Sequence, residues 1–131
     1  MNSTPVAEPT DSLLRRRIAS FGHAFRGVAA ALRSEVHMQF HAVATAVVIG
    51  LGFYFGISRL EWALVSLAIG TVWTAELLNT AIEVVVNLVS PGYHPLAGKA
   101  KDIASGAVLM AGFGALGVGL LIFGPRVWAL L

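Results

Sequence analysis

Leu14, Ile18, Phe21, Phe25, Val28 and Leu32 recur at alternating spacings of four and three, which is one apolar stripe on a helix. Arg16, His23, Arg26 and Arg33 lie off that stripe, and Thr10, Asp11 or Ser12 can cap its start. A basic amphipathic helix of this kind, over residues 12–34, lies in the headgroup plane when a membrane span follows it. Three longer segments are long and apolar enough to cross a bilayer: Phe40 to Ile57, Trp62 to about Val86, and Ile103 to Phe123. Between them, Gly56 to Leu60 makes a tight turn, with Tyr54 and Trp62 at belt positions. Ser90-Pro91-Gly92-Tyr93-His94-Pro95 breaks the second span, and a short polar connection with Lys99, Lys101 and Asp102 follows. In the third span Ala107, Ala111, Ala115 and Gly119 form a small-residue packing face. The expected architecture is an all-α integral membrane protein. It has a tail over 1–11, an interfacial amphipathic helix over 12–34, and a three-span membrane domain over 35–131.

Composition supports this pattern. Hydrophobic residues make up 56% of the 131 positions and charged residues only 12%, against about 25% charged in average soluble domains. With no cysteine, there is no disulfide framework and no thiolate chemistry. Residues 1–10 carry no apolar run, so they are read as a disordered tail and not as a signal peptide. Seven basic residues (Arg15, Arg16, Arg17, Arg26, Arg33, Lys99, Lys101) fall on one side of the spans and two, Arg59 and Arg126, on the other. The positive-inside rule then puts the N-terminus and the second loop in the cytoplasm. The arginines sit on a helix beside a membrane, so no nucleic-acid partner is expected.

The second span holds the candidate chemistry. Glu76, Asn79 and Glu83 point the same way at 3.6 residues per turn, and Asn87 continues the stripe. Carboxylates at membrane depth are costly and mark functional sites. Asn79 alone could be a polar seam between helices, but two carboxylates with no basic residue between them repel unless a cation or proton is present. The helix from Trp62 to Asn87 is roughly 39 Å long and exceeds the roughly 30 Å hydrocarbon core. Glu83 and Asn87 are therefore interfacial and Glu76 is deeper. Glu35, at the mouth of the first span, stands level with Glu83, and Lys101 and Asp102 can converge on the same surface. Glu76 and Glu83 lie roughly 10 Å apart along the axis, too far for one magnesium ion to take both comfortably. Glu35 and Glu83 suit a hard cation carrying phosphates, and the deeper Glu76 suits a proton acceptor. Carboxylates, magnesium and a lysine are the parts of phosphoryl transfer, although no Walker loop or protein-kinase catalytic loop is present.

The segments Glu76-Leu77-Leu78-Asn79-Thr80-Ala81-Ile82-Glu83, Tyr93-His94-Pro95-Leu96 and Ala100-Lys101-Asp102-Ile103-Ala104-Ser105-Gly106-Ala107-Val108 resemble the prokaryotic diacylglycerol kinase family, which includes undecaprenol kinases. The likeness runs over about residues 15 to 125. It implies a homotrimer of three-span subunits in the bacterial inner membrane, with active sites between neighbouring subunits, MgATP as co-substrate and a membrane lipid alcohol as acceptor. By position it implies Glu76 as catalytic base and Glu35 and Glu83 as metal ligands. Asn79, Lys101 and Asp102 would be phosphate-binding or active-site polar groups, and Gly92, Tyr93 and His94 a nucleotide-contacting turn. Arg16 and His23 would touch nucleotide or substrate. The stretch Phe53 to Trp62, with Pro91 and Pro95, looks more like the undecaprenol-type branch. Asn87 departs from the family's usual aspartate, and Gln39 from a common basic residue.

Other readings stay open at this stage. His37 and His41 could share a metal face, but are read as headgroup anchors. Trp73 is read as a packing or lipid-facing residue. A small proton- or cation-coupled transporter, with Glu76 as the carrier carboxylate, is the alternative function. A non-catalytic interaction protein would leave the glutamates and the Lys101-Asp102 pair unexplained.

Overall fold

The computed structural model describes residues 10–131, and side chains from residue 13 onward. Four helices follow one another: α1 Thr10–Ser34, α2 Val36–Phe55, α3 Arg59–Val89 and α4 Pro95–Trp128. No strand occurs among the described residues. Helix α1 is already helical at Thr10, two residues before its expected start. The expected tail lies, over residues 1–9, outside the described residues, and so do the side chains of the three candidate caps. Helices α2, α3 and α4 are each long and apolar enough to cross a membrane, and only 11% of each spanning window is buried within one chain. Their apolar exteriors need lipid or further protein around them.

Helices α3 and α4 form the main packing pair, with α2 laid against both and α1 against α2 and α3. The core cluster of Ile57, Val65, Ile122 and Phe123 sits near the α2–α3 turn. Gly56 makes that turn with φ 59°, a left-handed conformation that costs glycine little, and closes α2 through bonds from Gly56 and Ile57 N–H to Phe53 and Gly52 carbonyls. Ser58 then opens α3 in a reciprocal capping box with Glu61. Gly52 lets the helices approach, since a Cβ there would lie 2.6 Å from the Trp62 ring. Trp62 therefore packs inward on α2 as well as standing at a belt position. Arg126, at the far end of α4, donates to Glu61 at 2.9 Å and so ties α4 to the start of α3.

The second connection is shorter than the sequence suggests. Helix α4 begins at Pro95, so Lys99, Lys101 and Asp102 lie on its first turns and not on a loop. The reason is local. Proline at the first helical position is preorganised, and the His94 ring caps the start by accepting the Leu96 N–H at 3.2 Å. From Leu96 to Asp102 nothing except Gly98 opposes helix.

Candidate active site

A single residue separates α1 from α2. Glu35 has an extended backbone (φ −108°, ψ 117°); its N–H donates to Ala31 O at 2.9 Å and its carbonyl accepts from Gln39 N at 3.2 Å. It thus ends one helix and starts the next, and sets the corner between α1 and α2. Its side chain accepts from Ser34 Oγ at 3.1 Å. Gln39 also donates through Nε2 to Leu32 O at 3.2 Å, bracing the corner.

Glu35, Glu76 and Glu83 line one cavity of about 430 Å³, together with His37, Asn79, Thr80 and Ser105. The α3 stripe forms one wall, the α2 start a second, and Ser105, Val108 and Leu109 of α4 a third. The carboxylates differ in setting. Glu76 is 4% exposed, and it is the one polar or charged residue buried to that degree among the described residues. Glu35 and Glu83 are half-buried. Glu76 is thus the buried carboxylate of the cavity, and Glu35 and Glu83 are the more accessible ones.

Asn79 donates through Nδ2 to Glu83 Oε1 at 3.4 Å, and its buried Oδ1 has no hydrogen-bond partner. A buried carbonyl oxygen without a donor is costly unless something else satisfies it. The unsatisfied amide oxygen beside two carboxylates is an all-oxygen donor set of the kind that magnesium or calcium takes. No group of three or more His, Cys, Asp or Glu side chains among the described residues could hold a metal unaided. A bound cation would need oxygens from phosphate or water as well.

Lys101 donates to Asn87 Oδ1 at 2.6 Å. Asn87 is one turn beyond Glu83 on α3, and Lys101 one turn before Ser105 on α4, so the bond joins the two helices one turn beyond the cavity lining. Because Asn87 is neutral, it leaves the ammonium charge uncompensated. Asp102 is exposed beside it and does not line the cavity. Gly92, Tyr93 and His94 are exposed on the α3–α4 turn, outside the lining. Arg16 and His23 are exposed on α1, where His23 Nδ1 accepts from Arg26 at 2.6 Å, and neither reaches the cavity.

His41 stands differently from its expected role as a headgroup anchor. His37 lines the cavity, and His41 Nε2 lies 3.0 Å from Glu76 Oε1. The sequence signal for His41 was an ionisable residue inside an otherwise apolar span. Its partner was hidden because it lies across the α2–α3 contact. Trp73 packs as expected but also donates to Thr45 Oγ1 at 3.0 Å.

Residues 22–123 match the family described as prokaryotic diacylglycerol kinase. The chain belongs to that family. An undecaprenol kinase of Bacillus subtilis is 45% identical over 87% of this chain and 93% of its own length. Diacylglycerol kinases of Synechocystis and Escherichia coli K12 are 36% and 32% identical, over 87% and 73% of this chain and 66% and 79% of their own lengths. The protein is a membrane lipid kinase with three helices long and apolar enough to span. The transporter alternative has no support from these comparisons.

Proposed function

We propose that this kinase moves the γ-phosphoryl of MgATP onto the primary hydroxyl of undecaprenol, with diacylglycerol as the second candidate acceptor. The observation that carries the choice is the 45% identity to an undecaprenol kinase, against 36% and 32% for the diacylglycerol kinases. Purified protein in lipid vesicles, supplied with labelled ATP and each alcohol in turn, tests it. A higher kcat/KM for diacylglycerol would reverse the assignment.

In this reading Glu76 accepts the hydroxyl proton as the oxygen attacks phosphorus. Its depth suits an acceptor arriving laterally from the bilayer, while the rim opens toward nucleotide. Glu35, Glu83 and the Asn79 amide oxygen would hold magnesium, which when bound offsets charge on the phosphates. Lys101 assists at the rim, with Asp102 beside it. The turn at Gly92, Tyr93 and His94 contacts nucleotide. The site faces the cytoplasm of a bacterial inner membrane, as the seven-to-two split of basic residues supports.

Asn87→Asp bears on the rim. The new carboxylate would turn the hydrogen bond to Lys101 into an ion pair, so its charge is largely taken up locally. Turnover should be retained, and the magnesium requirement should not rise. Magnesium titration at one ionic strength is the check, and a clearly higher requirement would show that repulsion with Glu83 wins.

The assembly we propose is a homotrimer whose neighbours complete each site. One chain already gathers Glu35, Glu76 and Glu83, so those three need no second copy. Arg16 and His23, exposed and away from their own chain's cavity, are the groups a neighbour would supply. Mixing inactive Glu76→Gln and Glu35→Gln chains should therefore restore nothing. Mixing Glu76→Gln with an Arg16→Ala chain should leave about one site in four intact at equal proportions. Restoration in the first mixture, or none in the second with co-assembly shown by crosslinking, would refute this division.

A further inference from the structure

His41 is the direct partner of the buried carboxylate, and nothing in the phosphoryl-transfer reading above gives it work. Its Nε2 meets Glu76 Oε1 at 3.0 Å. The ring is 21% exposed at its side chain, against 5% for Glu76. On its other side it borders an apolar cavity of about 110 Å³ between α2, α3 and α4, lined by residues such as Val65, Val72 and Phe123. Apolar side chains make up most of that lining, so a charged headgroup phosphate has no place there.

We infer that His41 is a positioning residue for Glu76. It holds one carboxylate oxygen so that the other is aimed at the lipid hydroxyl. This rests on the reading of Glu76 as the base.

A glutamate has three side-chain torsions, and fixing one rotamer costs conformational entropy unless a partner does it. With its proton on Nε2, the imidazole donates to Oε1. Glu76 lines the polar cavity, so the oxygen that His41 does not hold is the one a hydroxyl can reach. The imidazole keeps its own protons throughout; the hydroxyl proton ends on Glu76.

The placement of His41 is itself fixed. One turn further along α2, Thr45 accepts the Trp73 indole N–H at 3.0 Å, and Trp73 precedes Glu76 by three residues on α3. The two contacts form successive rungs between the same helix faces. Other titratable groups around the polar cavity are Glu35 and His37 at the start of α2 and Glu83 on α3. Helix α4 adds only Ser105 as a polar lining group, and α1 adds no residue to the lining. None of these groups is hydrogen-bonded to Glu76, and His41 is its one side-chain hydrogen-bond partner among the described residues.

A purely structural cross-helix bond would change stability and leave turnover per folded enzyme alone. The test therefore uses full-length protein in lipid vesicles with labelled ATP, and reads kcat and both KM values for His41→Leu, His41→Gln, His41→Asn and Glu76→Gln. His41→Leu should lower kcat by about 10- to 100-fold, with KM for ATP and lipid little changed. His41→Gln should recover most of the loss, because its amide nitrogen stands about as far from Cβ as Nε2 and still donates. His41→Asn, with a shorter amide, should stay slow. Within Glu76→Gln, adding His41→Leu should cost nothing further. An unchanged kcat in both the leucine and asparagine variants, or a loss that glutamine does not restore, would overturn the inference while leaving Glu76 as base. If the leucine variant does not assemble, the glutamine–asparagine contrast decides alone. Normal turnover in Glu76→Gln would instead remove the base itself, and this inference with it.

Discussion

Replacing Glu76 by glutamine should reduce turnover by about 10²- to 10⁴-fold, the usual worth of a positioned general base. The substitution is close to isosteric, so the packing around this 4%-exposed side chain is retained. The amide oxygen can still accept from His41 Nε2, so the ring N–H keeps its partner. Removing a buried charge does not itself cost stability, since ionised groups at membrane depth are expensive to keep. The variant should thus melt at or above the temperature of the parent and bind nucleotide normally. Only proton acceptance is lost. Turnover at saturating ATP and lipid, set beside nucleotide affinity and melting temperature, checks all three expectations. Parent-like turnover would exclude Glu76 as the base, and loss of nucleotide binding would make it a ligand of the phosphates instead.

The features that sequence made legible are those with a period. The apolar stripe of α1, three long apolar runs and the Glu76–Asn79–Glu83 stripe each follow from helical spacing, and each lies where it was expected. The start of α4 was misplaced because Pro91, Gly92 and Pro95 all read as breakers. Yet Pro95 is a helix-starting proline, and a capped helix runs on through Lys101. Contacts between helices were not legible. The His41–Glu76, Asn87–Lys101 and Glu61–Arg126 pairs join residues 35, 14 and 65 positions apart. They depend on the rotation of each helix about its axis. That rotation is set by packing such as Trp62 on Gly52, and composition does not encode it. For the same reason His37 and His41 looked like a matched pair on one face. The structure gives the first to the cavity lining and the second to Glu76. Burial refined the carboxylates as well. Depth along α3 separated Glu76 from Glu83, Glu35 was expected level with Glu83, and the structure brings all three to the lining of one cavity.

Glu83→Gln and Glu35→Gln should each raise the magnesium needed for half-maximal activity by at least about tenfold and slow the reaction at saturating metal. Both side chains are half-buried in the cavity and keep their shape on substitution, so the change is one of charge and ligand strength. A hard cation held by two carboxylates and phosphate oxygens loses a large share of its attraction when one carboxylate becomes a neutral amide. Glu83 carries an added consequence. Its Oε1 accepts the Asn79 amide, whose own oxygen is buried without a donor. Glutamine at position 83 can turn its N–H₂ toward that oxygen and satisfy it within the chain. This draws Asn79 away from the cation, so the magnesium effect at 83 should exceed that at 35. Glu76→Gln, in the same titration, should leave the magnesium requirement in place while turnover collapses, because its oxygen sits roughly 10 Å further along the helix axis. Titrations of all three variants against the parent, at fixed ATP and ionic strength, separate the roles. Falling activity at 35 and 83 with an unmoved magnesium midpoint would show that these carboxylates do not hold the metal. A midpoint that moves in Glu76→Gln would place the cation deeper, at the buried carboxylate.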